Sequence, residues 1–354
     1  MVSDQLTSWY QLNKRDLPWR ETRDPYFIWL SEVILQQTRV AQGFDYYLRF
    51  INQFPDVSSL ANASEDEVLK LWQGLGYYSR ARNLHHAAKE IVSNYEGNFP
   101  CEYVQIRSLK GIGDYTAAAI ASFAFDLPYA VLDGNVFRFL SRYYGIHEPI
   151  NSPKAKKIFS ELAQDILNKV NPALHNQAIM EFGALQCTPT NPNCSHCPLI
   201  VNCSAYHNKQ VASLPVKVKK VKVTNRYFYY FIILDNGNTF IHQRTGNDIW
   251  KGLFQFPLFE APNELTDMDI AESNYVEQLF SSIDYSIVQM SESIKHILTH
   301  RHIYTKFIIV EIKGGKSKKH FDDYTRVELT QLSKFAWPRV IDRYFEKQKF
   351  DLIE

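Results

Sequence analysis

Leu109-Lys110-Gly111-Ile112-Gly113-Asp114-Tyr115-Thr116-Ala117 is the stretch on which the fold turns. It lies between two segments of helical periodicity, with two glycines around a single apolar residue. Glycine accepts the left-handed backbone that a tight reversal needs, so the chain can turn here with its amides facing outward. The helix that follows adds the positive end of its dipole. Such a hairpin is a seat for phosphate, and it reads a nucleic-acid backbone rather than a base sequence. A lone Gly-x-Gly between helices is more often a plain turn, so its weight depends on the chain around it.

Working outward, residues 1–208 read as helix after helix. Asp24 to Gln37 is one apolar-periodic stretch, and Ser79 to Val92 is another, with Ala81, Leu84, Ala88 and Ile91 at helical spacing. Thr116 to Phe125, Gly134 to Tyr144 and Pro153 to Val170 follow, punctuated by Gly74, Gly76 and Pro128. The texture changes near 209–226, a linker made basic by Lys217, Lys219, Lys220, Lys222 and Arg226. Beyond it, Tyr227 to Leu234, Thr239 to Arg244 and Ile303 to Ile312 are strand candidates, and Val340 to Lys347 looks helical. Residues 227–354 therefore read as a second, α+β domain, and 354 residues suffice for two cores.

Bulk composition narrows the function classes. A net charge of +1 gives no global basic field, so any nucleic-acid site must rest on local patches and backbone amides. No apolar run reaches the ~18 residues of a membrane span, and Met1 to Trp9 lacks the pattern of a signal peptide. The expectation is an intracellular protein without a membrane partner. Five cysteines, four of them close together, then look like metal ligands rather than a disulfide framework.

Those four are Cys187, Cys194, Cys197 and Cys203, spaced C-x6-C-x2-C-x5-C. A four-cysteine zinc site is the alternative, but it usually pairs two C-x2-C hooks, and only one is present. Four soft thiolates on one loop suit a 4Fe–4S cluster. Cys101 is left over and reads as a buried small hydrophobe.

Two carboxylates stand out. Asp133, in Val131-Leu132-Asp133-Gly134-Asn135-Val136, reads first as a helix N-cap. That role is compatible with a fixed, ionised carboxylate at a helix mouth. Glu32 sits mid-helix, where a glutamate is normally solvated, but its same-face neighbours are Ile28, Trp29, Leu35 and Gln36. Apolar surroundings favour its neutral form, so it can deliver a proton near neutral pH. Together the two suit the acid and the anion of a glycosidic bond cleaver.

In this chain order, Glu32, the hairpin, Asp133-Gly134-Asn135-Val136 and the cysteine loop resemble the helix–hairpin–helix DNA glycosylases, and within them the adenine glycosylases of the MutY type. Leu17-Pro18-Trp19-Arg20, Leu35-Gln36-Gln37-Thr38 and Gly74-Leu75-Gly76-Tyr77-Tyr78-Ser79-Arg80 extend the likeness over most of the chain. The implied fold is a mainly α helix–hairpin–helix glycosylase domain with an iron–sulfur cluster loop, plus a C-terminal α+β Nudix-like domain. The resemblance makes Glu32 the acid that protonates the adenine ring and Asp133 the stabiliser of an oxocarbenium-like sugar, or its transient nucleophile. Tyr115 and Asn135 become their supporting shell. Trp19, Arg20 and Glu181 match positions of the adenine pocket, and Gly111 and Gly113 those of the phosphate-binding hairpin. Gln37 and Tyr77 match duplex wedges, with Thr38 and Leu75 beside them as DNA contacts. For Tyr77 a place in the core is the alternative.

Endonuclease III-type relatives carry a lysine where this chain has Tyr115, and a tyrosine cannot form their Schiff base. The expectation is a monofunctional enzyme acting as a monomer on double-stranded DNA with adenine opposite 8-oxoguanine or guanine, in the cytoplasm with the nucleoid. Trp250 to Pro257 fits the Nudix-like tryptophan-glycine-leucine strand, while the acidic hydrolase signature is absent. The family's Phe-Ser-His lesion-sensing turn corresponds to Leu298-Thr299-His300, so Thr299 and His300 keep a hydroxyl and an imidazole for the 8-oxoguanine. Two rival classes remain: a glycosylase/lyase acting on oxidised pyrimidines, and a catalytically silent DNA-binding module.

Overall fold

A computed structural model of the chain describes residues 2–218, 223–281, 283–313 and 321–348. They fall into two compact units, Met1–Asn62 with Asn83–Lys219, and Ala63–Arg82 with Lys220–Glu354.

The first unit is helical. Its elements are α1 (Val2–Asn13), α2 (Pro25–Leu35), α3 (Val40–Gln53) and α4 (Val57–Asn62). The short α5 (Glu65–Trp72) belongs to the other unit, and α6 (Ser79–Tyr95) begins there. Then come α7 (Tyr103–Ser108), α8 (Asp114–Phe125), α9 (Gly134–Tyr144), α10 (Pro153–Ile166), α11 (Pro172–Leu185) and α12 (Ser204–His207). Helix α2 is started by the Asp24 carboxylate, which accepts from the Tyr26 amide, and by Pro25 in the first turn. It is buried from Tyr26 to Val33 on almost every face, and it packs on α3 and α8. The alanines of α8 permit that close approach, and Thr116 to Phe123 are all buried. Helix α11 packs on α1, α8 and α9. Its Gly183 lies so close to α9 that a Cβ there would meet the Asn135 carbonyl oxygen at 2.7 Å.

Several helix boundaries differ from the periodicity, and α6 runs on to Tyr95 rather than Val92; three of the others have a visible cause. Helix α2 stops at Leu35 rather than Gln37, because Gln36 leaves the helical region and Gln37 turns left-handed at φ 56°. Helix α8 starts at Asp114, with Gly113 extended as its cap. Helix α10 stops at Ile166 rather than Val170, since the Asn168 side chain accepts from the amides of Val170 and Asn171 and forms a turn.

The second unit contains two sheets. Its strands are β1 (Thr224–Leu234), β2 (Asn238–Gln243), β3 (Phe254–Gln255), β4 (Leu258–Ala261), β5 (Asp284–Met290), β6 (Ile294–Ile297), β7 (Arg301–Lys313) and β8 (Thr325–Glu328). Helices α13 (Asp267–Ala271) and α14 (Asn274–Leu279) precede β5, and α15 (Arg339–Gln348) follows β8. The larger sheet runs β4-β1-β7-β5 with β6 also on β7, and the smaller runs β3-β2-β8. Strand β1 is parallel to β7 and buried without a break from Phe228 to Ile233, as a central strand should be. Of the stretch Trp250 to Pro257, only Phe254–Gln255 pairs as a strand. Trp250 and Gly252 both have positive φ, 60° and 83°, and make a turn instead.

Residues 63–82 pack within this unit. Lys70 donates to the Phe335 carbonyl at 2.9 Å and Gln73 to the Asp342 carboxylate at 2.8 Å. A Cβ on Gly252 would approach Leu69 to 2.9 Å. Arg226 is not part of a basic linker: it lies in β1, and its guanidinium is held by Glu260 and Asp248. Lys219, Lys220 and Lys222 lie outside the described residues.

Candidate active site

Two cavities of the helical unit meet at Glu32 and Asp133. One is a recess of about 190 Å³ lined by Trp19, Arg20, Thr38, Met180 and Glu181 among others. The other is a groove of about 1140 Å³ that runs past Gln37, Gly111 and Gly113 to Tyr129. Glu32, Leu35, Tyr115 and Asp133 line both.

Glu32 is 8 % exposed. Burial pushes its carboxyl up to about 7, with the Asp133 charge acting in the same direction and the Tyr115 hydroxyl and Arg20 against it. The Tyr115 hydroxyl donates to Glu32 at 2.6 Å, and burial beside two carboxyls keeps that phenol well above its usual range. Asp133 is the N-cap of α9. Its Oδ1 accepts from the amides of Asn135 at 2.9 Å and Val136 at 2.7 Å, and its Oδ2 from the Asn135 side chain at 2.7 Å. Burial raises its pKa and these donors pull it back, leaving it above the ordinary aspartate value. The geometry therefore supplies one carboxyl still partly protonated near pH 7 and one carboxyl pinned by donors at a helix mouth, which is a workable acid–anion pair.

Around the recess, Glu181 is buried and both its oxygens are occupied. Arg15 and Arg20 each grip it twice, at 2.5 to 2.9 Å. Burial alone would raise Glu181, but these guanidiniums hold it at about 2. It anchors Arg20 against the recess wall, and Trp19 packs edge-on to Tyr47. In the hairpin, Gly111 has φ 80° and a Cβ there would strike Asn83 at 2.6 Å, so glycine is required. Gly113 has room for a Cβ, and its bare Cα leaves the mouth of α8 uncovered.

The wedge candidates share a backbone feature: Gln37 and Tyr77 have φ 56° and 48°. Left-handed non-glycine residues are uncommon and mark sites where surroundings hold a strained turn. Tyr77 is exposed, while Leu75 is buried beneath the same turn. Trp72 and Arg80 both donate to the Gly76 carbonyl there, at 3.0 and 3.2 Å. In the same unit the Tyr77 and Thr299 hydroxyls share a 2.7 Å hydrogen bond. Thr299 and His300 are exposed on the turn between β6 and β7, whose shape is set by the Leu298 amide on the Arg301 carbonyl and the Thr224 amide on that of His300.

Cys187, Cys194, Cys197 and Cys203 line one small cavity. Among the described residues no three side chains converge tightly enough to hold a single metal ion. The four thiols border a common space, and Arg142 donates to Cys187 Sγ at 3.5 Å. Cys101 is exposed, not buried: it precedes α7 at the surface.

Residues 30–165 match the model of the HhH-GPD superfamily of base excision DNA repair proteins, and 229–347 that of the NUDIX domain. The chain is 36% identical over 301 residues to an adenine DNA glycosylase of Buchnera aphidicola subsp. Baizongia pistaciae, covering 84% of this chain and 83% of that one. The chain belongs to the adenine DNA glycosylase family. Its fold is also that of solved glycosylases. A thermostable thymine-DNA glycosylase matches with TM-score 0.55 at 29% identity, over 58% of this chain and 95% of that chain. An endonuclease III in a non-covalent DNA complex matches with TM-score 0.52 at 20% identity, over 59% and 94%.

Some residues of this adenine DNA glycosylase family member escaped sequence reasoning. Arg15 shares Glu181 with Arg20. Arg138 ties Asn135, the partner of Asp133, to the Gly183 and Cys187 carbonyls. Arg142 caps the Thr188 and Pro189 carbonyls. The i, i+4 spacing of Arg138 and Arg142 on one face of α9, among its buried residues, was the available signal. Among the described residues no helix is long and apolar enough to cross a membrane.

Proposed function

We propose that the chain hydrolyses the N-glycosidic bond of adenine mispaired with 8-oxoguanine or guanine in duplex DNA. The observation that carries this reading is Glu32, a buried carboxyl with its pKa near 7, opposite the capped Asp133 at the junction of recess and groove. The extruded base enters the recess, where Glu32 protonates the adenine ring and makes it a leaving group. Asp133 then stabilises the cationic sugar by its charge or by a transient bond, with Tyr115 and Asn135 fixing the two carboxyls. Trp19, Arg20 and Glu181 shape the recess, while Gly111 and Gly113 present amides to phosphate. Gln37, Thr38, Leu75 and Tyr77 form the segments that open the duplex, and Thr299 and His300 contact the opposite base. Tyr115 in place of a lysine supports hydrolysis without a Schiff base.

The domain assignment that goes with this reading is a glycosylase domain over 1–208, a linker over 209–226 whose last three residues open β1, and a lesion-recognition domain over 227–354 joined by residues 63–82, in a cytoplasmic, nucleoid-associated monomer. Cys187, Cys194, Cys197 and Cys203 would hold a 4Fe–4S cluster, because four soft thiolates on one loop, bordering one cavity, suit an iron–sulfur group. When bound, the cluster would cross-link the loop after α11.

The test is base release from duplexes carrying adenine opposite 8-oxoguanine, guanine or thymine, with borohydride added in parallel. Release opposite 8-oxoguanine and guanine, without a trapped adduct, is the expected result. Trapping would instead support the lyase class, and binding without release the silent module. The same preparation should contain about four irons per chain for a cubane cluster, and stoichiometric zinc would refute that assignment.

A further inference from the structure

The groove is far larger than the recess that suits a single base, about 1140 against 190 Å³, and it is poorly equipped for a polyanion. Among its described lining residues stand three carboxyls, Glu32, Asp114 and Asp133, and a single cation, Lys156. Lys156 lies in the first turn of α10, yet its ammonium reaches Asp114 Oδ2 at 2.5 Å, at the first residue of α8 beside the hairpin. The other oxygen of Asp114 accepts from Arg107 Nε at 2.6 Å, and Arg107 also donates to the Ile112 carbonyl at 2.9 Å. That last bond occupies the carbonyl between the two glycines. The side chains of Lys156 and Asp114 are 67 % and 46 % exposed, and an ion pair so exposed contributes little to stability. What it does accomplish is geometric: it holds a mobile ammonium next to the open mouth of α8, where Gly113 leaves space.

We propose that Lys156 is a phosphate contact for the adenine-bearing strand, positioned by Asp114 so that ammonium and hairpin amides meet the same stretch of backbone. The inference rests on the glycosylase reading above. A phosphate entering the groove meets the helix end, the hairpin and one lysine, and the triad Arg107–Asp114–Lys156 keeps a net positive charge. Among the described lining residues no other lysine or arginine stands, so within the groove this ammonium is the side-chain cation a phosphate meets.

The test measures the dissociation constant of the full chain against salt. The probes are a duplex with 2′-fluoro-deoxyadenosine, which resists hydrolysis, opposite 8-oxoguanine, and the same duplex fully matched. Lys156→Ala should weaken both by a common factor of about tenfold and flatten the log–log salt slope by about one. Lys156→Gln should do the same, which separates charge from chain length. In an Asp114→Asn background the Lys156→Ala cost should shrink, because the ammonium is no longer held. An unchanged slope in Lys156→Ala, or equal costs in the two backgrounds, overturns the proposal. Wild-type protein that binds neither duplex would instead sink the glycosylase reading itself.

Discussion

Glu32 is 8 % exposed on a helix buried on nearly every face, whereas Thr299 and His300 stand exposed on a turn between two strands. Around Glu32 and Asp133 every polar partner comes from a packed helix: Tyr115 from α8, Asn135 from α9, and Arg138 linking α9 to α11. The turn at Leu298 to His300 depends on backbone bonds and on one hydroxyl pair, Tyr77 with Thr299. The first arrangement removes water, so it perturbs pKa values and leaves little freedom. The second stays hydrated and offers hydrogen bonds to whatever docks there. A buried site suits a proton transfer, and a hydrated turn suits discrimination by modest differences in contact energy.

The sharpest way to break that contrast is Glu32→Gln. Loss of the general acid should reduce single-turnover adenine release by ~100–10,000-fold, and wild-type release in the variant would remove the acid assignment. The wild-type rate should be high while Glu32 is protonated and fall as pH rises through about 7.

The same substitution carries a stability consequence of opposite sign. Glu32 has its folded pKa raised from the usual 4.5 to about 7. Its ionised form is therefore the less favourable one in the folded protein. Stability present below the unfolded pKa is lost as pH rises through 7. Glutamine carries no such cost, so Glu32→Gln should melt higher than wild type, with the advantage growing from pH 5 to pH 8. Each pKa unit corresponds to about 1.4 kcal/mol, which bounds the gain at up to about 3 kcal/mol. Thermal melts at the two pH values decide it: an advantage that shrinks toward pH 8 contradicts burial as the cause.

The smallest effect should come from the turn. Thr299→Ala with His300→Ala should narrow the rate ratio between 8-oxoguanine and guanine duplexes by about tenfold, since a polar contact to a base edge is worth ~1–3 kcal/mol. The point variant is preferable to truncation at 227, because α5 and residues 73–82 pack within the sheet unit and would lose their cover. An unchanged ratio would place lesion sensing elsewhere and leave the turn as scaffold.

Much of this was legible because short-range chemistry wrote it. The cap at Asp133 needs only the residues that follow it, and the φ of 80° at Gly111 needs only glycine. The helical period of α2 was enough to set Glu32 among Ile28, Trp29 and Leu35. Other features were hidden because they depend on residues distant in sequence. Glu181 read as a pocket residue and lines the recess, but nothing local showed that Arg15 and Arg20, more than 160 positions away, occupy its oxygens. Cys101 has no sequence neighbour to reveal whether it is covered, and the fold leaves it in solvent.

By itself the sequence determined the order of helices, the hairpin, the two carboxylates and the four-cysteine loop, since each rests on spacing within about one turn or one loop. Tertiary structure decided that 63–82 packs with the C-terminal sheets, that Tyr115 reaches Glu32, and that Asp114 holds Lys156 at the hairpin. The physical reason is range. Periodicity and turn propensity act over a few residues, whereas desolvation and pairing of charges depend on which distant segments exclude water around them.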